Sequence, residues 1–159
     1  MDANDLARFI ERHDIDAEIV FLPETTPTVE AAAEAVGVQP AQIVKSVLFV
    51  VKEKDGEPRP QLVVTNGLSR VSYRALADYL GISRKRVRMA RAEEVQEMTG
   101  YAVGTVPPFG HVAPLLTLLD IDVMQQQEIY AGGGAINALM RLTVGELQRV
   151  LQAEVVGLS

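Results

Sequence analysis

The segment 43–51 constrains the fold most, because it is a long apolar run rich in β-branched residues and therefore predicts a buried strand. Alternation along this strand places Lys45 on one face with Val47 and Phe49, and Ser46 on the other face. An ammonium group among apolar side chains is costly unless something requires it. Lys45 is therefore a candidate pocket cation for a phosphate or a developing oxyanion. The alternative is an edge lysine whose stem lies on the sheet while its head reaches solvent.

A second segment reads GYAVGTVPPFG from position 100, and its three glycines and two prolines predict a loop of fixed shape. Pro107 and Pro108 have no N–H group, so the backbone donors must come from Gly104, Thr105 and Val106. Backbone groups held in this way need little reordering to bind an ester or an α-amine. The alternative is a purely structural turn.

Length and composition restrict the class of protein. With 159 residues the chain can build its own core, and we expect residues 1–159 to form a single domain. The absence of cysteine removes disulfides, thiolate catalysis and cysteine-based zinc sites, and it favours a reducing compartment. No window approaches about 18 consecutive apolar residues, and the acidic start does not resemble a secretory signal. We therefore expect a cytoplasmic protein with no membrane partner.

The charge distribution is uneven along the chain. A net charge of −6 argues against general affinity for nucleic acid. Nevertheless, many of the basic residues lie within one short stretch that contains a single acid, Asp78: Arg70, Arg74, Arg84, Lys85, Arg86, Arg88 and Arg91. This basic stretch either attracts a polyanion locally or is an ordinary solvated surface.

Hydrophobic periodicity and capping residues predict short helices mixed with strands. The helices are expected at 5–13 with Asn4 as the cap, 28–36 closed by Gly37, 72–80, 92–99 and 143–151. The strands are expected at 17–22, 43–51, 61–65, 86–90, 114–119, 128–131, 135–142 and 154–156. Thr143 and Glu146 match a capping box at the last helix. This order predicts an α+β fold with a curved, mixed, partly barrel-like β-sheet surrounded by short helices.

The other polar residues match no familiar catalytic motif. His13 and His111 are far apart in sequence, no HExxH is present, and no serine lies in a G-x-S-x-G elbow. The sequence therefore predicts neither a metal site nor a cofactor. The tract Gly132-Gly133-Gly134 allows close backbone approach, but it matches neither a P-loop nor GxGxxG. The tract either forms a wall of a ligand site or has a structural role in a hairpin turn or a β-bulge.

Taken in order, these segments resemble the YbaK/prolyl-tRNA synthetase-associated editing domains, which are freestanding aminoacyl-tRNA deacylases. The resemblance covers nearly the whole chain, and the Lys-Ser strand and the GxxxP loop are specific in combination. It is carried by TVEAA from Thr28 before Gly37, by IVKS from Ile43, by the segment 100–110, by Asp120 and by the triple glycine.

The resemblance implies a barrel-like α+β fold and hydrolysis of the ester that joins a wrong amino acid to the tRNA 3′ end. Lys45 falls on the family's lysine, which holds the phosphate region of the terminal adenosine, and Gly104 begins the loop that positions the aminoacyl group. These two are the predicted catalytic residues, while water and the ribose 2′-hydroxyl do much of the chemistry. The predicted substrate-binding residues are Thr28, Ser46, Tyr101, Thr105, Val106, Pro107, Pro108, Gly133 and Gly134. The implied partners are a mischarged tRNA and an aminoacyl-tRNA synthetase.

Two departures from the family pattern leave other functions open. Many relatives carry a glycine and a small residue at the positions of Thr105 and Pro107, and Thr105 adds a hydroxyl and bulk beside the expected pocket. The amino acid removed is therefore not identified. One alternative is a non-catalytic adaptor that binds aminoacyl-tRNA or a synthetase. Another is a hydrolase of small-molecule esters or thioesters.

Overall fold

A computed structural model describes residues 1–159, and it confirms the α+β class. The helices are α1 (Ala3–Arg12), α2 (Val29–Val36), α3 (Tyr73–Leu80), α4 (Ala92–Thr99) and α5 (Val144–Leu151). The strands are β1 (Ala17–Phe21), β2 (Val44–Lys52), β3 (Pro58–Asn66), β4 (Val87–Met89), β5 (Thr117–Asp120), β6 (Glu128–Gly132), β7 (Ala138–Thr143) and β8 (Glu154–Val156). None of the helices combines the length and apolar character needed to cross a bilayer.

The strands form two sheets that share a hydrophobic cluster and are joined by one isolated bridge. The larger sheet has the order β4-β2-β3-β5-β8, with antiparallel pairs around β2 and parallel pairs on both sides of β5. The smaller sheet has the order β1-β7-β6 and is antiparallel. A single bridge between Ile43 and Tyr130 connects the start of β2 to β6. The predicted mixed, curved arrangement is therefore present as two joined sheets, which do not close into a barrel.

Strand β2 has partners on both sides only along part of its length. β3 pairs with all of it and places Thr65 opposite Lys45. On the other side, β4 pairs only with the segment Phe49–Val51, and the chain after β4 adds one bond from the Ala90 N–H to the Leu48 carbonyl. The first half of β2 therefore has an open edge, which is where the site lies.

The two faces of β2 pack into different hydrophobic clusters, which confirms the predicted alternation. Phe49 and Val51 pack with Leu76 of α3 on one face. On the opposite face, Val44 packs with the residues of α1, α5 and the smaller sheet, and Leu48 packs with the residues that follow α4. Lys45 thus extends from a strand whose two faces both pack into the hydrophobic core.

Helix α2 begins and ends where its capping residues predict. The Thr28 hydroxyl accepts a hydrogen bond from the Ala31 N–H at 3.0 Å, and Gly37 closes the helix in the left-handed region with φ 73°. These two caps satisfy backbone groups that a helix end leaves unpaired. They also fix the first turn of α2 beside the start of β2.

Two of the capping predictions were wrong. The cap of α1 is Asp2 rather than Asn4, because the Asp2 carboxylate accepts from the N–H groups of both Asn4 and Asp5. At α5 the Thr143 hydroxyl caps the helix, but Glu146 does not complete the box. Its carboxylate instead accepts from the Asp16 N–H at 2.6 Å and connects α5 to the residue before β1.

Asp120 holds the end of β5 to its neighbours. Its carboxylate is fully buried and accepts from the Thr65 hydroxyl at 2.7 Å, the Leu158 N–H at 3.3 Å and the Ser159 hydroxyl at 3.0 Å. Asp120 is therefore a structural acceptor that joins β3, β5 and the segment after β8. This position places it in the framework of the fold rather than in a ligand pocket.

We predict that Asp120→Ala lowers the free energy of unfolding by about 3 kcal/mol, because several buried donors lose their acceptor. Urea unfolding measures this loss. The matched control is Asp122→Ala, which removes a half-buried carboxylate that accepts only from the hydroxyls of Ser69 and Ser159 and should cost less than about 1 kcal/mol. Equal losses in the two variants would contradict the structural role of Asp120.

Candidate functional site

A cavity of about 240 Å³ lies between the open edge of β2, the start of α2 and the glycine tract. We call it the loop cavity, because the backbone of the Gly/Pro loop forms one of its walls. Five of the predicted site residues line it together: Thr28, Lys45, Ser46, Gly104 and Val106. Most of the other lining residues are apolar, so the cavity suits a small, largely uncharged group.

Lys45 is the one titratable residue that lines the loop cavity. Its side chain is half-buried, and no carboxylate lies within ion-pair distance of its ammonium group. Burial lowers the pKa of Lys45, and the nearby positive charge of Arg70 lowers it further. The ammonium group has therefore lost hydration without gaining a counter-charge, which makes it a site for an anion.

Lys45 also lines a second cavity of about 670 Å³, and it is the one residue that lines both cavities. We call this second cavity the arginine cleft. Its lining residues besides Lys45 are Val47, Phe49, Arg70, Val71, Tyr73, Arg74, Arg84 and Met89. A single ammonium group therefore lies between a small apolar space and a strongly basic one.

Ser46 supplies an unused polar atom at the same cavity. Its hydroxyl oxygen is buried and has no hydrogen-bond partner in the chain. Buried hydroxyls are normally paired, so an unpaired one beside a cavity indicates a position where a ligand or a water molecule completes the bond.

The loop contributes backbone donors, although not all of those that the sequence suggests. Both the N–H and the hydroxyl of Thr105 bond to the Ala102 carbonyl, at 3.0 and 2.8 Å. The Thr105 side chain is therefore turned into the loop and does not line the loop cavity. The N–H groups of Gly104 and Val106 have no acceptor in the chain, so they remain free to bind a carbonyl oxygen or oxyanion.

The remaining predicted residues of the loop do not line the loop cavity but stabilise the loop by burial and hydrogen bonds. Tyr101 is fully buried, its hydroxyl lies 3.4 Å from the Gly110 carbonyl, and burial raises its pKa to about 12. The Pro107 carbonyl bonds to Nε2 of His111 at 2.8 Å. Pro108 lines a separate cavity on the far side of the loop. These residues lie behind the wall of the loop cavity and hold its shape.

The glycine tract packs against the loop so closely that no side chain fits. A Cβ on Gly132 would lie 2.2 Å from the Val106 carbonyl oxygen, and a Cβ on Gly133 would lie 2.6 Å from the backbone of β7. Gly134 has φ 87° and donates its N–H to the Thr105 carbonyl at 3.0 Å. Only Gly132 lines the loop cavity, and its two neighbours hold the tract in place.

The wall opposite the loop could be predicted from the sequence only in part. Val29 and Ala32 of α2 and Ile136 and Leu139 near the start of β7 line that side of the loop cavity. The motif TVEAA from Thr28 includes Val29 and Ala32, so the family resemblance marks the start of α2, whereas no short motif marks Ile136 or Leu139. No group of three or more His, Asp or Glu side chains converges anywhere in the chain.

Comparison with known protein families identifies this arrangement. The family model described as "Aminoacyl-tRNA editing domain" matches residues 23–150, which include every residue that lines the loop cavity. The chain belongs to the aminoacyl-tRNA editing domain family.

Individual relatives of this editing domain agree with the family assignment. A "Proline--tRNA ligase" of Limosilactobacillus fermentum (strain NBRC 3956 / LMG 18251) is 30% identical over 116 residues, which are 71% of this chain and 20% of the ligase. The chain therefore spans about a fifth of that ligase. The "Uncharacterized protein YwhH" of Bacillus subtilis (strain 168) is 31% identical over 123 residues, which are 77% of this chain and 74% of YwhH.

Solved structures show the same fold over nearly the whole editing domain. A structure described as a "putative trans-editing enzyme for prolyl tRNA synthetase" has a TM-score of 0.86 and 36% identity, and the match covers 99% of this chain and 96% of that one. The hypothetical protein APE2540 has a TM-score of 0.86 and 28% identity, with coverage of 97% and 98%.

We predict that Gly132→Ala lowers the free energy of unfolding by at least about 2 kcal/mol, because the new methyl group meets backbone atoms that cannot turn away. Urea unfolding measures the loss. The matched control is Gly145→Ala in the first turn of α5, where the added Cβ would meet only the Thr143 hydroxyl at 3.9 Å. That control should be neutral or stabilising, since alanine is the better helix former. An unaffected Gly132→Ala would mean that the tract does not contact the loop.

We predict that the fold loses stability as His111 becomes protonated. Burial lowers the pKa of His111 below its ordinary value of 6.5, although the hydrogen bond to Pro107 partly opposes this shift. As the pH falls below 6.5 the unfolded chain therefore takes up the proton first, and the free energy of unfolding declines. The NMR titration midpoint of the His111 ring should lie below 6.5, and His111→Gln should remove this part of the pH dependence. A midpoint above 6.5 would contradict the assignment.

Proposed function

We propose that this editing domain hydrolyses the ester that joins an amino acid to the 3′ end of a mischarged tRNA. The observation that carries the proposal is the position of Lys45 between the loop cavity and the arginine cleft. An aminoacyl-tRNA has the same order of groups, with a small acyl group followed by a ribose and then by phosphates. The acyl group would occupy the loop cavity while Lys45 contacts the first phosphate.

The backbone of the loop would stabilise the charge that develops during hydrolysis. Water attacks the ester carbonyl carbon, the bond to the ribose oxygen breaks, and the proton of the water passes to that oxygen. The products are a free amino acid and a tRNA with its terminal hydroxyl restored. The free N–H groups of Gly104 and Val106 are the donors for the carbonyl oxygen as it becomes negative. The Ser46 hydroxyl would complete its missing hydrogen bond with the bound ester.

Lys45 acts in this scheme as a fixed charge rather than as a base. It orients the substrate and lowers the cost of bringing a phosphate next to the ester. No carboxylate or imidazole lines the loop cavity, so the proton transfer falls to the attacking water and the hydroxyl groups of the ribose. This division of work agrees with what the family resemblance implies.

The partners follow from the same proposal. The matching ligase acts, by its name, on proline and tRNA, and the similar solved structure is described as working for prolyl tRNA synthetase. These relatives support a mischarged tRNA as the substrate and a prolyl-tRNA synthetase as a partner. The proposed site of action is the cytoplasm.

A non-catalytic adaptor is the second candidate function. It is favoured by the fact that neither a carboxylate nor an imidazole lines the loop cavity. An adaptor would bind mischarged tRNAs tightly and release the amino acid from none of them. A deacylase would release the amino acid from at least one of these tRNAs.

We predict that Lys45→Ala reduces kcat/KM for deacylation about 10²- to 10³-fold, the loss typical of removing one charge-stabilising group. The measurement is release of labelled amino acid from a panel of mischarged tRNAs, which includes alanine, cysteine, serine and threonine esters on proline tRNA. Lys54→Ala, in the exposed turn between β2 and β3, is the matched control and should retain full activity. Full activity in Lys45→Ala would reject the role of Lys45, and turnover of free amino acid esters at the rate of tRNA esters would favour a small-molecule hydrolase.

A second variant separates folding from function at the same position. Lys45→Met keeps the length of the stem but removes an ammonium group that is desolvated and lies near Arg70. We predict that it raises the free energy of unfolding by about 0.5 kcal/mol while it lowers kcat/KM for deacylation as much as Lys45→Ala does. A variant that is both inactive and strongly destabilised would instead show that Lys45 supports the fold.

A further inference from the structure

The arginine cleft holds positive charge that the rest of the protein does not neutralise. Arg70, Arg74 and Arg84 form no ion pair, and no acidic residue lines the cleft. Together with Lys45 they place four cations around one cavity of a protein whose net charge is −6. Unpaired like charges repel one another, so this arrangement indicates an anionic ligand with more than one charge.

The basic stretch from Arg70 to Arg91 also contains arginines that are neutralised by an acid, unlike those of the arginine cleft. Arg88 forms a paired hydrogen bond to the two carboxylate oxygens of Glu94, at 2.8 and 2.9 Å, and Arg91 bonds to the same residue at 3.2 Å. The hydrogen bonds from Arg88 lower the pKa of Glu94 to about 2. Within the basic stretch, Arg88 and Arg91 are therefore paired with an acid and Arg86 bonds to backbone carbonyls, whereas the arginines at the cleft have no such partner.

The cleft also offers a stacking surface beside its charges. The Tyr73 ring is held edge-on by Phe49, with 5.6 Å between ring centroids and an interplanar angle of 86°. The Arg84 guanidinium lies over the Tyr73 ring at 4.3 Å from its centroid. Arg84 is itself exposed, and the exposed side chain of Met89 lines the same cleft. A guanidinium plane fixed on an aromatic ring is a surface on which an unpaired base stacks.

We infer that the arginine cleft binds the single-stranded nucleotides that precede the aminoacylated end of an RNA, with Arg70 and Arg74 on phosphates and Arg84 against a base. The inference rests on the proposed function, because Lys45 connects the cleft to the loop cavity. Positive side chains along a groove, combined with a stacking surface, are what proteins use to bind unpaired RNA. The cleft would therefore make the enzyme prefer RNA esters over free amino acid esters.

The first test measures binding without any turnover. The RNA trinucleotide CCA, without an amino acid, is titrated into the labelled protein, and backbone and arginine side-chain NMR signals report the site and the Kd. Arg74→Gln and Arg84→Gln should each weaken binding about tenfold, and each lost phosphate contact should reduce the slope of log K against log salt by about 0.7. Arg88→Gln, whose wild-type guanidinium is held by Glu94, is the matched control and should bind like wild type.

The second test uses turnover. The ratio of kcat/KM for an aminoacylated CCA trinucleotide to that for the same amino acid on adenosine alone should exceed tenfold in wild type and fall towards one in Arg74→Gln/Arg84→Gln. An unchanged ratio would overturn the inference, and so would CCA-induced NMR shifts that map away from Tyr73 and Arg84.

Equal affinity for AMP and CCA would also overturn it, because the site would then hold one nucleotide only. A loss seen with full tRNA but not with the trinucleotide would assign the arginines to duplex RNA instead and overturn the single-strand inference.

The two proposals fail in different ways. If no ester is hydrolysed but CCA binds at the cleft, the deacylase proposal is wrong and the inference about the cleft stands. If esters are hydrolysed and the cleft variants behave as wild type at every salt concentration, the deacylase proposal stands and the cleft has no role in RNA binding.

Discussion

The site exists because strand β4 is too short to cover β2. β4 pairs only with Phe49–Val51, so the first half of β2 presents an open edge, and an open edge must be covered by something other than a strand. The Gly/Pro loop, the start of α2 and the glycine tract take that place. They cannot form a regular ladder there, and the imperfect cover leaves a cavity. The bridge from Ile43 to Tyr130 keeps the two sheets together at its border.

Four cations without an ion-pair partner lie together at the site, namely Lys45 and the three arginines of the cleft. Several other arginines lie against acids, as Arg149 does against Glu146 and Arg141 against Glu18. At Lys45 and along the arginine cleft no such partner is present. Keeping like charges close together lowers the stability of the folded state, and proteins tolerate that cost mainly at functional sites. The missing negative charge is therefore best understood as belonging to a ligand.

The elements of the fold could be predicted from the sequence because their signals are local. Thr28 and Gly37 mark both ends of α2, and alternation along β2 places Lys45 correctly. The shape of the site could not be predicted in the same way. The contact between Gly132 and the loop joins parts of the chain that are distant in sequence, and no propensity reports it. The hydroxyl of Thr105 was expected beside the pocket, but it donates to the Ala102 carbonyl within the same turn. The cap of α1 was missed because Asp2 and Asn4 are equally good capping residues in isolation.

The contact between Gly132 and the Val106 carbonyl means that main chain packs directly against main chain at one wall of the loop cavity. Such a contact cannot be widened or narrowed by exchanging side chains. Three of the residues that line the cavity are alanines, Ala32, Ala135 and Ala138, and a larger side chain at any of them would reduce its volume. Substitutions in α2 and in the segment around β7 can therefore change the size of the group that the loop cavity accepts. The ammonium group and the loop would keep their positions throughout such substitutions.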